Sequence, residues 1–287
     1  MSATRFEETF VAWARREPSV AALVLIGSQC RVNGGVASAD RFSDWDYQVV
    51  TSRPELFSDR SWIQAAGLPE PLAYTARLGR LARVGKVTAM FPQADLDLVL
   101  LPAVKMRFAC WVRKLGLGSL LARNPALGEL ALVLRPGHRV IKGGPGWERI
   151  FDWFASAVPP PRIHDSEVVA IAEGFVCDYV STHQKIARGE LLAAQRWLHA
   201  NLAEANFRLV HELRLRQGKT TFPDARRIEA LGDLGLVTTL AVRATPDRDS
   251  LLLAVERSGN TCRETVAALI GGAWRWPEGL ASRLGRK

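Results

Sequence analysis

The chain has 287 residues, 48% of them hydrophobic and 23% charged, with a formal net charge of +9. That length accommodates one large domain or two medium ones with separate cores, and that composition excludes the disordered and fibrous classes. The longest apolar run, around Val20 to Ile26, is strand length and far short of the ~20 residues of a bilayer span, so a soluble, cytoplasmic protein with no membrane partner is expected.

In chain order, the first element is an amphipathic helix. Phe6, Phe10, Val11 and Trp13 recur at helical spacing within a segment that mixes both charge signs, unlike a signal peptide. VAALVLIG and YQVVTS read as strands, and PELFSDRSWIQAAG as one helix begun by Pro54 and stopped near Gly67. RVGKVTAMFP and ADLDLVLLP are two further strand-like runs, close enough to pair. RPGHRVIKGGPGW and SAVPPPRIHD concentrate Gly and Pro, which puts a domain boundary near residue 150. Beyond it, Ser166 to Arg188 and Glu190 to Arg216 carry apolar residues at spacings of three and four, as do Asp224 to Leu231 and Leu251 to Leu269. The expectation is an α+β protein: a mixed sheet with helices over residues 1–150, then an α-helical bundle over 151–287.

The four cysteines are far apart with no CxxC pair, so neither a zinc site nor a disulfide framework is indicated, and buried thiols are expected. The five histidines form no metal-binding pattern, and GGPG at 143 to 146 has no following Lys-Ser/Thr. The basic charge suits nucleic acid or another polyanion, but Arg is spread along the chain with no run of five or six.

The chemistry lies in GSQCRVNGGVASADRFSDWD, residues 27 to 46. Side chains alternate along a strand, so Asp44 and Asp46 project to one side of Trp45. Two carboxylates that close repel each other unless a cation lies between them, and magnesium shared with substrate phosphates resolves the conflict. Asp95 and Asp97 again share one face of an apolar run. Acids on adjacent strands at one sheet edge are the components of two-metal phosphoryl or nucleotidyl transfer. Upstream, Gly27 lets a phosphate approach the backbone, and the Ser28 hydroxyl with nearby N–H groups can bind its oxygens. A capped Asx turn with solvated acids would also produce S-D-W-D, but not an acid inside LDLVLLP.

These motifs resemble the polymerase-beta-type nucleotidyltransferase superfamily, with a strand ending in GS, DxD on the next strand and a third Asp on a later one. More narrowly, Gly27, Ser28, Asn33, Asp40, Phe42, Asp44, Trp45 and Asp46 are similar in order to the aminoglycoside 6-adenylyltransferases. The resemblance runs from about Val20 to Pro102 and is weaker through the helical half, where Arg188 and Glu190 match an R-x-E. It implies that Asp44, Asp46 and Asp97 bind Mg2+, that Gly27 and Ser28 hold the phosphates of ATP, and that an acid of the helical domain takes the acceptor's hydroxyl proton. Glu173 is the candidate base, with Asp178 behind it. Gln29 stands where the family has Arg, and Arg31 is the candidate substitute. Lys185 and Arg188 either touch phosphates or are surface cations. The implied activity is transfer of AMP from ATP to a small cationic acceptor such as an aminoglycoside antibiotic, by a monomer or dimer. RNA or protein as acceptor, and a silent nucleotide-binding module, are the alternatives.

Overall fold

A computed structural model describes residues 3–31, 39–40, 42–79, 84–222, 226–231 and 234–285, without the side chains of Ala3, Leu234, Ala281, Arg283 and Gly285. Asn33 lies outside the described residues. The chain divides into two compact units, Met1–Pro161 and Arg162–Lys287.

The first unit is built on a six-stranded sheet. Its strands are β1 (Val20–Ile26), β2 (Trp45–Thr51), β3 (Ala73–Leu78), β4 (Gly85–Met90), β5 (Asp95–Pro102) and β6 (Arg139–Lys142), in the order β3-β4-β5-β2-β1-β6. Only β2 and β5 run parallel; the other neighbours are antiparallel. Alternation assigns the faces. Leu23, Leu25, Tyr47, Val49, Leu96 and Leu98 pack with Phe6, Phe10 and Trp13 of α1 (Ala3–Arg16) and with Trp62 of α2 (Ser61–Ala65). On the opposite face, Val24, Ile26 and Val50 pack with α3 (Ala103–Lys114), α5 (Pro125–Leu134) and α6 (Pro145–Ala157), while α4 (Gly118–Ala122) links α3 to α5. Lys142 Nζ donates to the carbonyls of Ala14 (2.9 Å) and Glu17 (2.7 Å), supplying donors and positive charge to the C-terminus of α1.

In the second unit, α7 (Asp165–Ala187) and α11 (Arg248–Ile270) pack together with α8 (Leu191–Trp197) and α9 (Glu204–Arg216), which are joined by a π-helical turn over Leu198–Ala203. Two short helices, α10 (Leu234–Leu240) and α12 (Leu280–Gly285), complete it. Among the described residues no helix is long and apolar enough to cross a membrane.

Four expectations need adjustment. The helix read from Pro54 to Gly67 is a 3-10 turn, Pro54–Phe57, and the separate α2. Ser58 Oγ donates to Glu55 O (2.7 Å) and Ser61 N to Asp59 Oδ1 (2.8 Å), local bonds that compete with a continuous helix. The boundary near residue 150 falls inside α6, whose Ile150, Phe151 and Phe154 are buried in the first unit, so the division comes after the helix. Of the helix expected over Asp224 to Leu231, the described part is a 3-10 turn, Ile228–Leu231. Only Cys262 is fully buried; Cys177 is exposed.

Candidate active site

The site begins where β1 ends. Gly27 has φ +76°, opens a 3-10 turn that runs to Cys30, and lies so close to β2 that an added Cβ would collide with Asp46 Oδ2 and reach Asp46 Cγ at 3.1 Å. Glycine is therefore required twice, by the left-handed backbone and by the neighbouring carboxylate. The register explains the proximity: Ile26 pairs with Asp46 across β1 and β2, and Asp46 pairs with Asp97 across the parallel β2 and β5.

One oxygen from each of Asp44, Asp46 and Asp97 lies within 4.8 Å of the others. Asp46 and Asp97 point to the same sheet face as Ile26 and Val50, but at the strand ends, where all three acids stay partly exposed. Ahead of β2, Asp40 forms an Asx turn: its Oδ1 accepts from Phe42 N (2.9 Å) and from Ser43 Oγ (3.1 Å). The third acid of the ADRFSDWD run thus shapes the turn, leaving Asp44 and Asp46 to the cluster.

Asp97 is held from β4. Thr88 Oγ1 donates to Asp97 Oδ1 (2.6 Å), and Lys86 Nζ pairs with Oδ2 (2.6 Å). Neither residue stood out in the sequence, although GKVTAM carried the signal: Lys86 and Thr88 alternate onto one face of the strand that pairs with β5. Asp95 begins β5 beside the cluster, where burial, then the charges of Asp44 and Asp97, raise its pKa. Gln48, two residues inward from Asp46 on the same face, is 1% exposed, and its Oε1 has no hydrogen-bond partner among the described residues.

The donor set fits a hard divalent cation. It consists of carboxylate oxygens alone, the three acids converge on one region, and a lysine ammonium already answers one of them. Ser28 follows Gly27 in the same turn and is half-buried, as is Arg31, whose N–H donates to Ser28 O at 3.2 Å. Glu173 and Lys185 belong to the second unit, on α7. The exposed Glu173 accepts from Trp274 Nε1 (2.6 Å), Asp178 accepts from Trp197 Nε1 (3.0 Å), and the Lys185 ammonium sits 4.8 Å from the centre of the Trp197 ring.

Along the chain, a sheet edge with three convergent acids is thus followed by a helical unit. No family model and no curated protein matches the sequence. Among solved structures the chain is similar to an aminoglycoside 6-adenyltransferase from Bacillus subtilis, at 12% identity and a TM-score of 0.43, covering 100% of this chain and 98% of that one. It is also similar to a nucleotidyltransferase-like protein from Exiguobacterium sibiricum 255-15, at 13% identity and a TM-score of 0.38, covering 93% of this chain and 76% of that one.

Proposed function

We propose that the protein is a nucleotidyltransferase that moves AMP from ATP to a hydroxyl of a small cationic acceptor, of which an aminoglycoside antibiotic is the leading example, and releases pyrophosphate. The observation that carries this reading is the convergence of Asp44, Asp46 and Asp97 beside a left-handed glycine whose missing side chain admits the Asp46 carboxylate to the end of β1. Those three residues would hold magnesium, which when bound neutralises triphosphate charge and makes the acceptor hydroxyl a better nucleophile. The chain's own groups do the rest. The Ser28 hydroxyl and the N–H groups of its turn donate to terminal phosphate oxygens, and Lys86 and Thr88 fix the Asp97 carboxylate. The bond from the acceptor oxygen to the α-phosphorus forms as the bond to the departing pyrophosphate breaks. Glu173 is assigned as the base that takes the hydroxyl proton.

Support for a cationic acceptor comes from the second unit. Glu173 with Trp274, and Asp178 with Trp197, join a carboxylate to an indole, the chemistry that receives organic cations. Of these two indoles, Trp197 already engages a cation of the protein, the Lys185 ammonium 4.8 Å from its ring centre, and the nearby Trp276 engages Arg263 at 5.0 Å. The net charge of +9 is what favours the second reading, an RNA acceptor.

The test is incubation with ATP labelled at the α-phosphate, magnesium and a panel of hydroxylated acceptors that includes streptomycin and a short RNA. AMP-sized mass gain on a cationic small molecule supports the first reading. Salt-sensitive transfer to RNA alone selects the second, and ATP binding without transfer to any acceptor identifies a binding module.

A further inference from the structure

Helix α3 is apolar on two faces. One face, Ala103, Met106, Ala109 and Val112, is buried against the sheet. The other carries Val104, Phe108, Trp111 and Leu115 at spacings of four, three and four, which at 100° per residue fall within about 60° of arc. That second face is bare: Val104 is 76%, Phe108 59% and Trp111 57% exposed, and the exposed Leu117 and Leu120 extend it toward and onto α4. The Phe108 and Trp111 rings lie side by side, 6.0 Å between centroids and 32° apart in plane. Isolated apolar residues on a surface are ordinary, but a contiguous stripe of this size marks an interface.

Charge identifies the partner. From Leu98 to Gly128 there is no Asp or Glu, while Lys105, Arg107, Arg113, Lys114 and Arg123 are all present. On the α3 wheel, Arg107 and Lys114 border the apolar stripe on one side, while on the other Lys105 lies just past the buried Val112, and all three cations are exposed. A second copy of the chain docking through this face would set cations against cations. Single-stranded RNA would satisfy the two aromatic rings and the cations but leave Val104, Leu115, Leu117 and Leu120 in water. An aromatic and aliphatic stripe edged by cations is what an interfacial helix presents to an anionic bilayer, with the rings below the headgroups and the basic side chains reaching up to lipid phosphates.

We propose that α3 and the start of α4 form a peripheral docking surface for anionic membranes. This is a contact from one side and involves no membrane span.

The experiment uses the full chain, sedimented with vesicles of mixed phosphatidylglycerol and phosphatidylcholine or of phosphatidylcholine alone. The expected result is binding to the mixed vesicles only. Lys105→Gln/Arg107→Gln/Lys114→Gln is expected to weaken it roughly 100-fold, from three surface charges near an anionic leaflet. Phe108→Ser/Trp111→Ser should weaken it about 10-fold or more. Brominated acyl chains should quench a component of the tryptophan emission that disappears in Trp111→Phe. These side chains are exposed, so the variants are expected to keep the wild-type melting temperature and transfer activity. Failure to bind the mixed vesicles, or equal binding to phosphatidylcholine alone, overturns the proposal. So does loss in the charge variant without loss in the aromatic one, which would report only the net charge. Binding of poly(U) or self-association that the aromatic variant abolishes, without vesicle binding, assigns the face to another partner and overturns it too.

Discussion

In the first unit three carboxylates lie within 4.8 Å of one another at the rim of a sheet, and Asp97 is partnered by Lys86 and Thr88. In the second unit a single carboxylate, Glu212, is 1% exposed and saturated. Its Oε1 accepts from Arg162 (2.8 Å) and Arg216 (3.0 Å), and its Oε2 from the Ile163 N–H (3.1 Å). Arg216 continues the network to Asp165 (2.8 Å) and to the carbonyls of Leu269 and Ile163. The same functional group is thus used in two ways. Carboxylates gathered at a partly exposed rim mark a place where a ligand is expected; a buried carboxylate matched on every side ties helices together. The contrast predicts opposite consequences when each charge is removed.

At the rim, Asp46→Asn is expected to lower transfer by about 10³-fold or more, since several kcal/mol of transition-state stabilisation depend on the acids. It should leave the melting temperature unchanged or slightly higher, because it relieves repulsion within the cluster. Turnover from labelled ATP and a thermal melt on the same sample check both halves. Retained turnover would remove Asp46 from the catalytic assignment. In the helical unit the sign reverses. Glu212→Gln keeps the shape but turns a donor toward donors and leaves two guanidiniums without their shared charge, a loss of about 2–3 kcal/mol, toward the low end for a buried pair because both arginines are partly exposed. Denaturant unfolding that matches wild type would show that the network holds nothing together.

How far each region could be read from sequence follows from the same contrast. Gly27, Asp44, Asp46 and Asp97 were legible because alternation and strand ends turn short spacings into positions. Lys86 and Thr88 were not, because assigning them needs the β4 to β5 register, which no local spacing fixes. Strand β3 escaped because its residues are mostly exposed and carry no buried alternation, and β6 because it is four residues long. The long helices α7 and α11 were legible within a few residues from periodicity alone. The Glu212 network was invisible, since Arg162 and Glu212 are fifty positions apart and a buried Glu reads in sequence like any charge on a helix.

Gly27→Ala tests whether the rim is as crowded as the geometry requires. The left-handed φ costs an L-residue about 1–2 kcal/mol, and the new Cβ must displace the Asp46 carboxylate. A smaller loss of turnover than in Asp46→Asn is expected, together with a measurable fall in stability. Unchanged stability with full turnover would mean that the close approach is relaxed in solution.

The smallest effect is a pH dependence confined to the helical unit. His183 of α7 is 12% exposed, 3.5 Å from Glu256 Oε1, and its ring packs 4.7 Å from that of Tyr179, whose hydroxyl donates to the same carboxylate oxygen. Burial lowers the His183 pKa, and the Glu256 charge offsets this only in part. An unfolded histidine takes its proton near pH 6.5. Since the folded ring takes it later, the stabilisation is complete above about that pH and fades as pH falls toward the lowered folded value. Glu212 acts in a separate window. Burial alone would raise its pKa, but the bonds from Arg162, Ile163 and Arg216 outweigh burial and lower it, so its contribution begins to fall only below the ordinary value of 4.5. Between about pH 7 and pH 5.5 a loss of at most about 1 kcal/mol is therefore expected from His183, and His183→Gln should flatten that step while leaving the acid limb below it intact. Denaturant midpoints across the two windows measure both. A step that survives in His183→Gln would assign it to another group, whereas loss of both limbs would mean that the imidazole and the Glu212 network unfold as one cooperative element.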